Sequence, residues 1–355
     1  LFVTTHDATL LGDLKEEIDQ KLCNVKICDP AIGSGAFPMG LLRELFFCRS
    51  AIEPNIMENA AKIKRHIIQN NIYGVDIERG AVDIARLRFW LSLIVDEKSP
   101  EALPNLDFKI MQGNSLLEQY NGVDLSTMTE KKVGAEQGIT IFDSMLDVYR
   151  KNLRDKLAEY YACPEQEKKV QLRKDIADIV KQELIEQGIH IDFEDIDLSA
   201  NSQFFLWHTW FHDVFSRPSK EGFDIVIGNP PYVEAKKLKY IASTLKKIFS
   251  IYSGTADLSI YFNELGLGLL AEKGIISYIT TNKFFNTGYG EKVRKQLSSH
   301  HINIILNFEQ VEVFEDVLVS SVIFNVSKKN KMKNNLFIYE KFYKLNFQKF
   351  KRQFI

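Results

Sequence analysis

Apolar runs with the character of strands recur along this chain, and each closes in a polar or glycine-containing turn. They are NVKICDPA (24–31), NIYGVDI (71–77), DFKIMQGNS (107–115), FDIVIGNPP (223–231), GIISYITTN (274–282) and INIILNF (302–308). Between them GLLRELFFCRS, GAVDIARLRFWLSLIVD and DLSIYFNELGLGLLAEK carry apolar residues at helical spacing. Strands alternating with helices predict an α/β fold, a mostly parallel sheet with helices on both faces. VLVSSVIFNVSKK (317–329) follows the sixth run after only EQVEVFED. That connection is too short for a helical crossover, so this run predicts an antiparallel strand, the seventh of the sheet.

One region breaks the rhythm. Residues 117–205 hold no convincing sheet strand but two charged helical stretches, roughly 141–162 and 165–187, with Pro164 suited to start the second and Gly188 to end it. They predict a helical hairpin inserted between the third and fourth strands, a structural spacer or an arm that clamps DNA.

Composition narrows the class without naming a function. The 355 residues are 45% hydrophobic and 26% charged, with a formal net charge of −2, as in an ordinary globular protein. Charge is uneven, however. Residues 326–355 hold nine Lys or Arg against the single acid Glu340, and a second basic run, KKLKYIASTLKK, follows NPPYVEA directly. Either run alone reads as a solvated face; two together suggest a polyanionic partner. Cys23, Cys28, Cys48 and Cys163 show no CxxC spacing, which is simplest as reduced thiols in the cytoplasm. No apolar run approaches the roughly 20 residues of a membrane span. The chain starts at Leu1 and ends in a basic, aromatic segment, and is expected to be a piece of a longer protein.

The chemistry gathers at the ends of the strand-like runs, where open α/β sheets bind ligands. ICDPAIGSGAF puts Asp29, Gly33 and Gly35 at the turn after the first strand. Glycines there let a ligand approach the backbone, and Asp29 can accept from a cation or a hydroxyl. GVDIERG places Asp76 to accept from both hydroxyls of a ribose, with Ile77 beside it to cover an adenine ring; a helix-capping Asp is the plainer alternative. Nicotinamide enzymes carry a similar acid about 20 residues after a complete GxGxxG, and here the glycine pattern is incomplete. In QGNSLL, Asn114 could bond an adenine amino group or simply shape a turn. GNPPY (228–232) then turns the fourth strand through two prolines into a rigid corner poor in hydrogen-bond donors.

Taken in order, DPAIGSGAF, GVDI, GNSL and NPPY resemble the S-adenosylmethionine-dependent methyltransferases that act on amino groups. With FFLWHTWFHDVF, TADLSIYFNELGLGLLAEKGIISYITTNKFF and NFEQVEVFEDVLVSSVIFNVSK, the chain resembles the adenine-specific (N6) DNA methyltransferases of restriction–modification and phage-defence systems, above all the type IIG kind, over roughly residues 5–328. The resemblance implies a Rossmann-like methyltransferase fold. It implies cofactor contacts from Asp29, Pro30, Ala31, Gly33, Gly35, Phe37, Asp76, Ile77, Asn114 and Ser115. Asn229, Pro230, Pro231 and Tyr232 would form the catalytic corner, and Tyr232 with Phe314 would sandwich a flipped adenine. The physical logic agrees. An exocyclic amine delocalises its lone pair into the ring, and two acceptors on its N–H bonds, the Asn229 side-chain oxygen and the Pro230 carbonyl, favour a tetrahedral nitrogen with that pair free. No metal is called for.

The same resemblance divides the chain into a cofactor-binding half (1–116), the helical insertion (117–205), a catalytic and substrate-binding half (206–330) and a basic segment (331–355) leading towards a target-recognition region. It implies double-stranded DNA as partner, with nuclease and target-recognition domains elsewhere in the longer chain; a YTP-like segment of the family is missing. Other readings keep the chemistry and change the substrate: a glutamine amide of a protein, an amino group of RNA, or cytosine N4, where Ser usually replaces Asn229. A non-catalytic module that binds cofactor is a different class again. His208 and His212 stand four apart like helical metal ligands but lack a third partner, and Asp257 reads better as a helix cap than as a catalytic acid.

Overall fold

The computed structural model describes residues 2–53, 60–96, 103–120, 123–125, 141–163, 165–186, 188–189, 196–309, 320–329 and 337–342. Eight strands form one sheet: β1 (Ile27–Asp29), β2 (Ile72–Asp76), β3 (Ile110–Gln112), β6 (Phe223–Gly228), β7 (Leu270–Thr281), β8 (His301–Phe308), β9 (Ser321–Ser327) and β10 (Ile338–Lys341). A separate antiparallel pair, β4 (Gln119–Tyr120) and β5 (Val123–Asp124), lies within the inserted region ahead of its helices, outside the main sheet. The sheet order is β10-β8-β9-β7-β6-β1-β2-β3. β9 lies between β7 and β8, antiparallel to both, as the short connection predicts, while β1 with β6, β6 with β7, β2 with β3 and β8 with β10 pair in parallel.

The first two strands read as unbroken apolar runs because both their faces are covered. Ile27, Cys28, Ile72, Tyr73 and Val75 are all at most 2% exposed. Each such side chain contributes about 1.5–3 kcal/mol relative to leaving it in water.

Two compact units divide the chain. One comprises residues 1–32, 36–73 and 220–355; the other comprises 33–35 and 74–219, so β2 passes from the first into the second at Tyr73. In the first unit the helix Ser259–Leu269 ends four residues before the sequence pattern does, and β7 begins at once with Leu270. Leu270 pairs with Phe223 and both are buried, so the apolar spacing that continues the helix serves a buried strand equally well. β10 is the other departure from the expected seven strands. It adds to the β8 edge through the Asn307 amide donating to the Tyr339 hydroxyl (3.2 Å), a Lys341–Glu309 ion pair (2.8 Å) and Phe342 stacked on Phe308 at 4.8 Å.

In the second unit the insertion is the expected hairpin, Ile141–Ala162 followed by Gln166–Glu186. Leu153, Leu157 and Tyr160 on one helix, and Leu172, Ile176, Val180 and Leu184 on the other, are buried at the i, i+3 and i+4 spacing of facing stripes. Gly188 takes φ +80° beyond the second helix, with the Ile189 N–H returning to the Leu184 carbonyl at 3.0 Å, the closing turn a glycine permits. Pro164 lies outside the described residues. Asp107 ties the hairpin down by accepting from the Tyr160 hydroxyl and pairing with Arg173 (3.0 Å) and Arg86 (3.1 Å).

Candidate functional site

Within the first unit, β1 and β6 lie side by side in parallel, with Ile27 opposite Ile225 and Cys28 opposite Val226. Successive strands run outward in opposite directions from this pair, β2 beside β1 and β7 beside β6. It is therefore the topological switch point, where the carboxyl ends of the strands leave a crevice. Asp29 closes β1, and its buried carboxylate accepts the Ala31 N–H at 3.0 Å, which shapes the DPA turn. Its neighbour on β6 is Gly228. A Cβ there would stand 2.5 Å from Asp29 Oδ1, so any larger residue would have to displace that buried carboxylate.

The chain leaves Gly228 through Asn229, Pro230 (buried), Pro231 (exposed) and Tyr232 (half-buried). The Tyr232 hydroxyl donates to Asn229 Oδ1 at 2.6 Å, and its second close acceptor is the Ile279 carbonyl on β7 at 3.2 Å. Burial, and then the nearby Asp257 carboxylate, push the phenol's pKa up, so it stays a neutral donor. An amide oxygen has two lone pairs, so Asn229 keeps room for a second donor. One residue further on, the Leu258 N–H bonds the Val233 carbonyl at 2.9 Å and pins the corner's exit. Asp257 stands two residues before the helix Ser259–Leu269, whose N-cap is Leu258; it accepts the Ser259 N–H at 3.1 Å and the Ser259 hydroxyl, while Thr281 donates to its other oxygen at 3.5 Å. Pro30 is buried, Ala31 half-buried, and Phe37, in the first turn of the helix Ala36–Ile52, is 38% exposed.

Within the second unit, Asp76 organises a turn. Its Oδ2 accepts the Gly33 N–H at 2.8 Å, and its Oδ1 accepts the Glu78 N–H at 3.0 Å. Each carboxylate oxygen thus retains an acceptor site, as binding of a vicinal diol requires. Gly33 takes φ +53° and a Cβ on it would meet nothing within 4 Å; the backbone faces open space. Gly35 lies against Ala85, and Ile77 stands 44% exposed beside Asp76.

Asn114 Oδ1 accepts the Leu116 N–H at 3.3 Å, which is the turn geometry open from the sequence and leaves one acceptor position on that oxygen. Ser115 is buried, and its carbonyl receives the Trp207 indole N–H at 3.0 Å. The Phe205 ring lies so close over Gly113 that a Cβ there would overlap it. Phe205 and Trp207, in T-shaped contact at 4.8 Å, therefore brace the QGNS turn. Only their aromatic density hints at this in the sequence, because the contacts span about 90 residues. Phe314 lies outside the described residues.

His208 is packed against Phe215 at 4.1 Å, where burial lowers its pKa to about 4 and keeps it neutral, while the His212 ring bonds the Ser216 hydroxyl at 3.0 Å. His6, Glu44 and Cys48 bring three ligand-type atoms within 4.8 Å of one another, and His6 and Glu44 already pair at 2.7 Å. The four cysteines are free. Among the described residues no helix is long and apolar enough to cross a membrane.

The order of these strands, with one reversed strand near the edge and turns at the switch point, is that of a Rossmann-like α/β fold. Residues 70–314 match the model of the Eco57I restriction-modification methylase family, and the chain belongs to that family, whose methyl donor is S-adenosylmethionine. A protein of Methanocaldococcus jannaschii bearing the name of a type II restriction enzyme and methyltransferase, RM.MjaORFECS2P, is 25% identical over 90% of this chain and 31% of its own length. The type II restriction enzyme and methyltransferase RM.Eco57I of Escherichia coli is 22% identical over 91% of this chain and 26% of its own. The adenine-specific methyltransferase PglX of Streptomyces coelicolor is 22% identical over 79% of this chain and 18% of its own. The chain thus spans less than a third of the length of each.

Proposed function

We propose that the chain carries the methyl-transfer step of a restriction–modification or phage-defence enzyme, moving a methyl group from S-adenosylmethionine to the N6 amino group of an adenine flipped out of DNA. The observation that carries the reading is the corner after β6. Asn229 Oδ1 already holds a hydrogen-bond donor, the Tyr232 hydroxyl at 2.6 Å, beside the rigid Pro230–Pro231 turn. That oxygen is therefore a working acceptor, and an adenine amino group presents the same kind of N–H. The name of PglX and the family match support adenine and DNA; the choice of adenine rests on Asn at position 229.

On this reading the residues act as follows. Asp76 receives the ribose hydroxyls on its two remaining acceptor sites, and Gly33 leaves the backbone bare for close approach. Ile77 covers one face of the adenine moiety, and Asn114 accepts from that moiety's amino group. Asp29, with Pro30, Ala31, Gly35, Phe37 and Ser115, shapes the rest of the cofactor seat. When bound, S-adenosylmethionine supplies a methyl group already activated on a sulfonium. Asn229 Oδ1 and the Pro230 carbonyl accept the two N–H bonds of the target amine, so that its lone pair is free for in-line attack. Tyr232 and Phe314 stack on the flipped base.

The test is transfer of a labelled methyl group to unmethylated duplex DNA, with the modified base identified by mass spectrometry. N6-methyladenine is expected. N4-methylcytosine, or label only in a glutamine-containing protein or an RNA offered in parallel, would overturn the substrate while leaving the chemistry. Cofactor binding without transfer to any of them would favour a non-catalytic module.

A further inference from the structure

We infer that residues 234–250 form a rigid platform that grips the phosphates of the DNA next to the flipped base, with Tyr240 stacking on one of its bases. This inference rests on DNA being the substrate.

The segment is held at both ends. At its start the Leu258 N–H bonds the Val233 carbonyl at 2.9 Å. At its end the Glu264 carboxylate accepts the Ser250 and Ile251 N–H groups at 3.0 and 3.1 Å, and Lys292 Nζ donates to the Ser250 and Tyr252 carbonyls at 3.1 Å each. Between these ties Leu238, Leu245 and Phe249 are buried. A segment fixed this way presents its outer side chains from a defined surface rather than from a waving loop.

That surface is strongly basic. Lys236, Lys237, Lys239, Lys246 and Lys247 are all exposed, and the one acid in the segment is Glu234. Among the described residues, no ion pair or side-chain hydrogen bond engages any of the five ammonium groups. Elsewhere the chain pairs such groups: Lys21 with Glu17, Lys109 with Asp213 and Lys220 with Asp224 lie at 2.6–2.9 Å. Five unpaired charges within twelve residues repel one another, and a line of phosphates relieves that repulsion while releasing counterions. Tyr240 sits among them at 81% exposure, with no ring partner among the described residues. Lysines interleaved with a bare aromatic ring are the combination that holds a nucleic-acid backbone and stacks on a base. The platform begins two residues after Tyr232, so what it grips adjoins what the proline corner receives.

The experiment uses a fluorescently labelled duplex and measures its affinity between 50 and 200 mM KCl, the range over which phosphate neutralisation tells most. The proteins are the unsubstituted chain, K236A/K237A, K246A/K247A, Tyr240→Ala and Tyr240→Phe, with S-adenosylmethionine affinity followed in each. Each lysine pair should flatten the plot of log affinity against log salt by about 0.9 for every phosphate that is no longer neutralised. Tyr240→Ala should weaken binding roughly tenfold without changing the salt slope, and Tyr240→Phe should stay within about twofold of the original. Cofactor affinity should not move. If the unsubstituted chain methylates DNA while every variant keeps its affinity and slope, the platform is wrong and the proposed function stands. If the unsubstituted chain neither binds nor methylates DNA, both fall. Equal, lysine-dependent affinity for polyglutamate would reassign the surface to an acidic protein.

Discussion

Two glycines sit at the two turns that matter most, and they are there for opposite reasons. At Gly33, in the turn after β1, a Cβ would project into empty space, and the residue's N–H secures the Asp76 carboxylate. At Gly228, at the end of β6, a Cβ would strike the Asp29 carboxylate at 2.5 Å. The first turn is bare backbone facing open space, the feature that makes it the proposed cofactor seat. The second is a closed corner made of packed side chains, whose acceptor is already engaged by Tyr232. The proposed function uses both kinds, an open turn for a cofactor to enter and fixed acceptors that need not reorganise during reaction.

The largest effect should come from the closed corner. Asn229→Ala removes the acceptor proposed for the reacting amine, so kcat for methyl transfer should fall by roughly 10²–10³ or more. The dissociation constant for S-adenosylmethionine, measured by calorimetry, should stay within about threefold. Retained turnover would sink the role given to Asn229.

Asp76→Ala is the counterpart at the open seat. Losing hydrogen bonds to a charged acceptor is worth about 1.5–3 kcal/mol, so S-adenosylmethionine should bind roughly 10- to 100-fold more weakly. Unchanged affinity would put the ribose elsewhere.

The two glycines test the contrast directly. Gly228→Ala forces a methyl group onto a buried carboxylate and should cost about 1–3 kcal/mol, visible as a lower Tm. Gly33→Ala meets no protein atom, and its positive φ costs only about 1 kcal/mol. It should instead weaken cofactor binding severalfold with little change in Tm. The reverse pattern would dissolve the distinction.

The smallest change is expected from Tyr232→Phe. Without the hydroxyl, Asn229 Oδ1 loses the donor on one lone pair and becomes a stronger acceptor at the other, the one open to the target amine, while the ring still stacks. KM for DNA should drop a few-fold and kcat should hold within about threefold. A loss of kcat as large as that of Asn229→Ala would make the hydroxyl part of the reacting assembly.

Much of the fold was legible because its signals are local. The helical hairpin shows in charge and apolar spacing, its end in Gly188, and the reversal of β9 in the shortness of the connection before it. The boundary at Leu270 was not legible, since an apolar run satisfies a buried helix and a buried strand alike. β10 was hidden for a related reason: IYEK sits in a basic segment, half-exposed, and becomes a strand only because the β8 edge is there to pair with it. At the proposed site, Asp29, Asp76, Asn114 and Asn229 were chosen from the sequence by type and by position at strand ends, and the structure places each of them at a turn. The bond from Tyr232 to Asn229 and the bracing of QGNS by Phe205 and Trp207 do not.

By itself, the sequence determined the alternation of strands and helices and the places where the chain turns, since glycines, prolines, carboxylates and amides act on the backbone within a few residues of themselves. Tertiary structure alone decided which turns become neighbours. Asp29 and Gly228 meet because β1 pairs with β6 in the register of Ile27 to Ile225, a choice made by burying apolar faces that many pairings could bury in part. Hydrophobic burial is non-directional, so the pattern can say that a strand is inside, whereas close packing and the hydrogen-bond ladder say beside which other strand it lies.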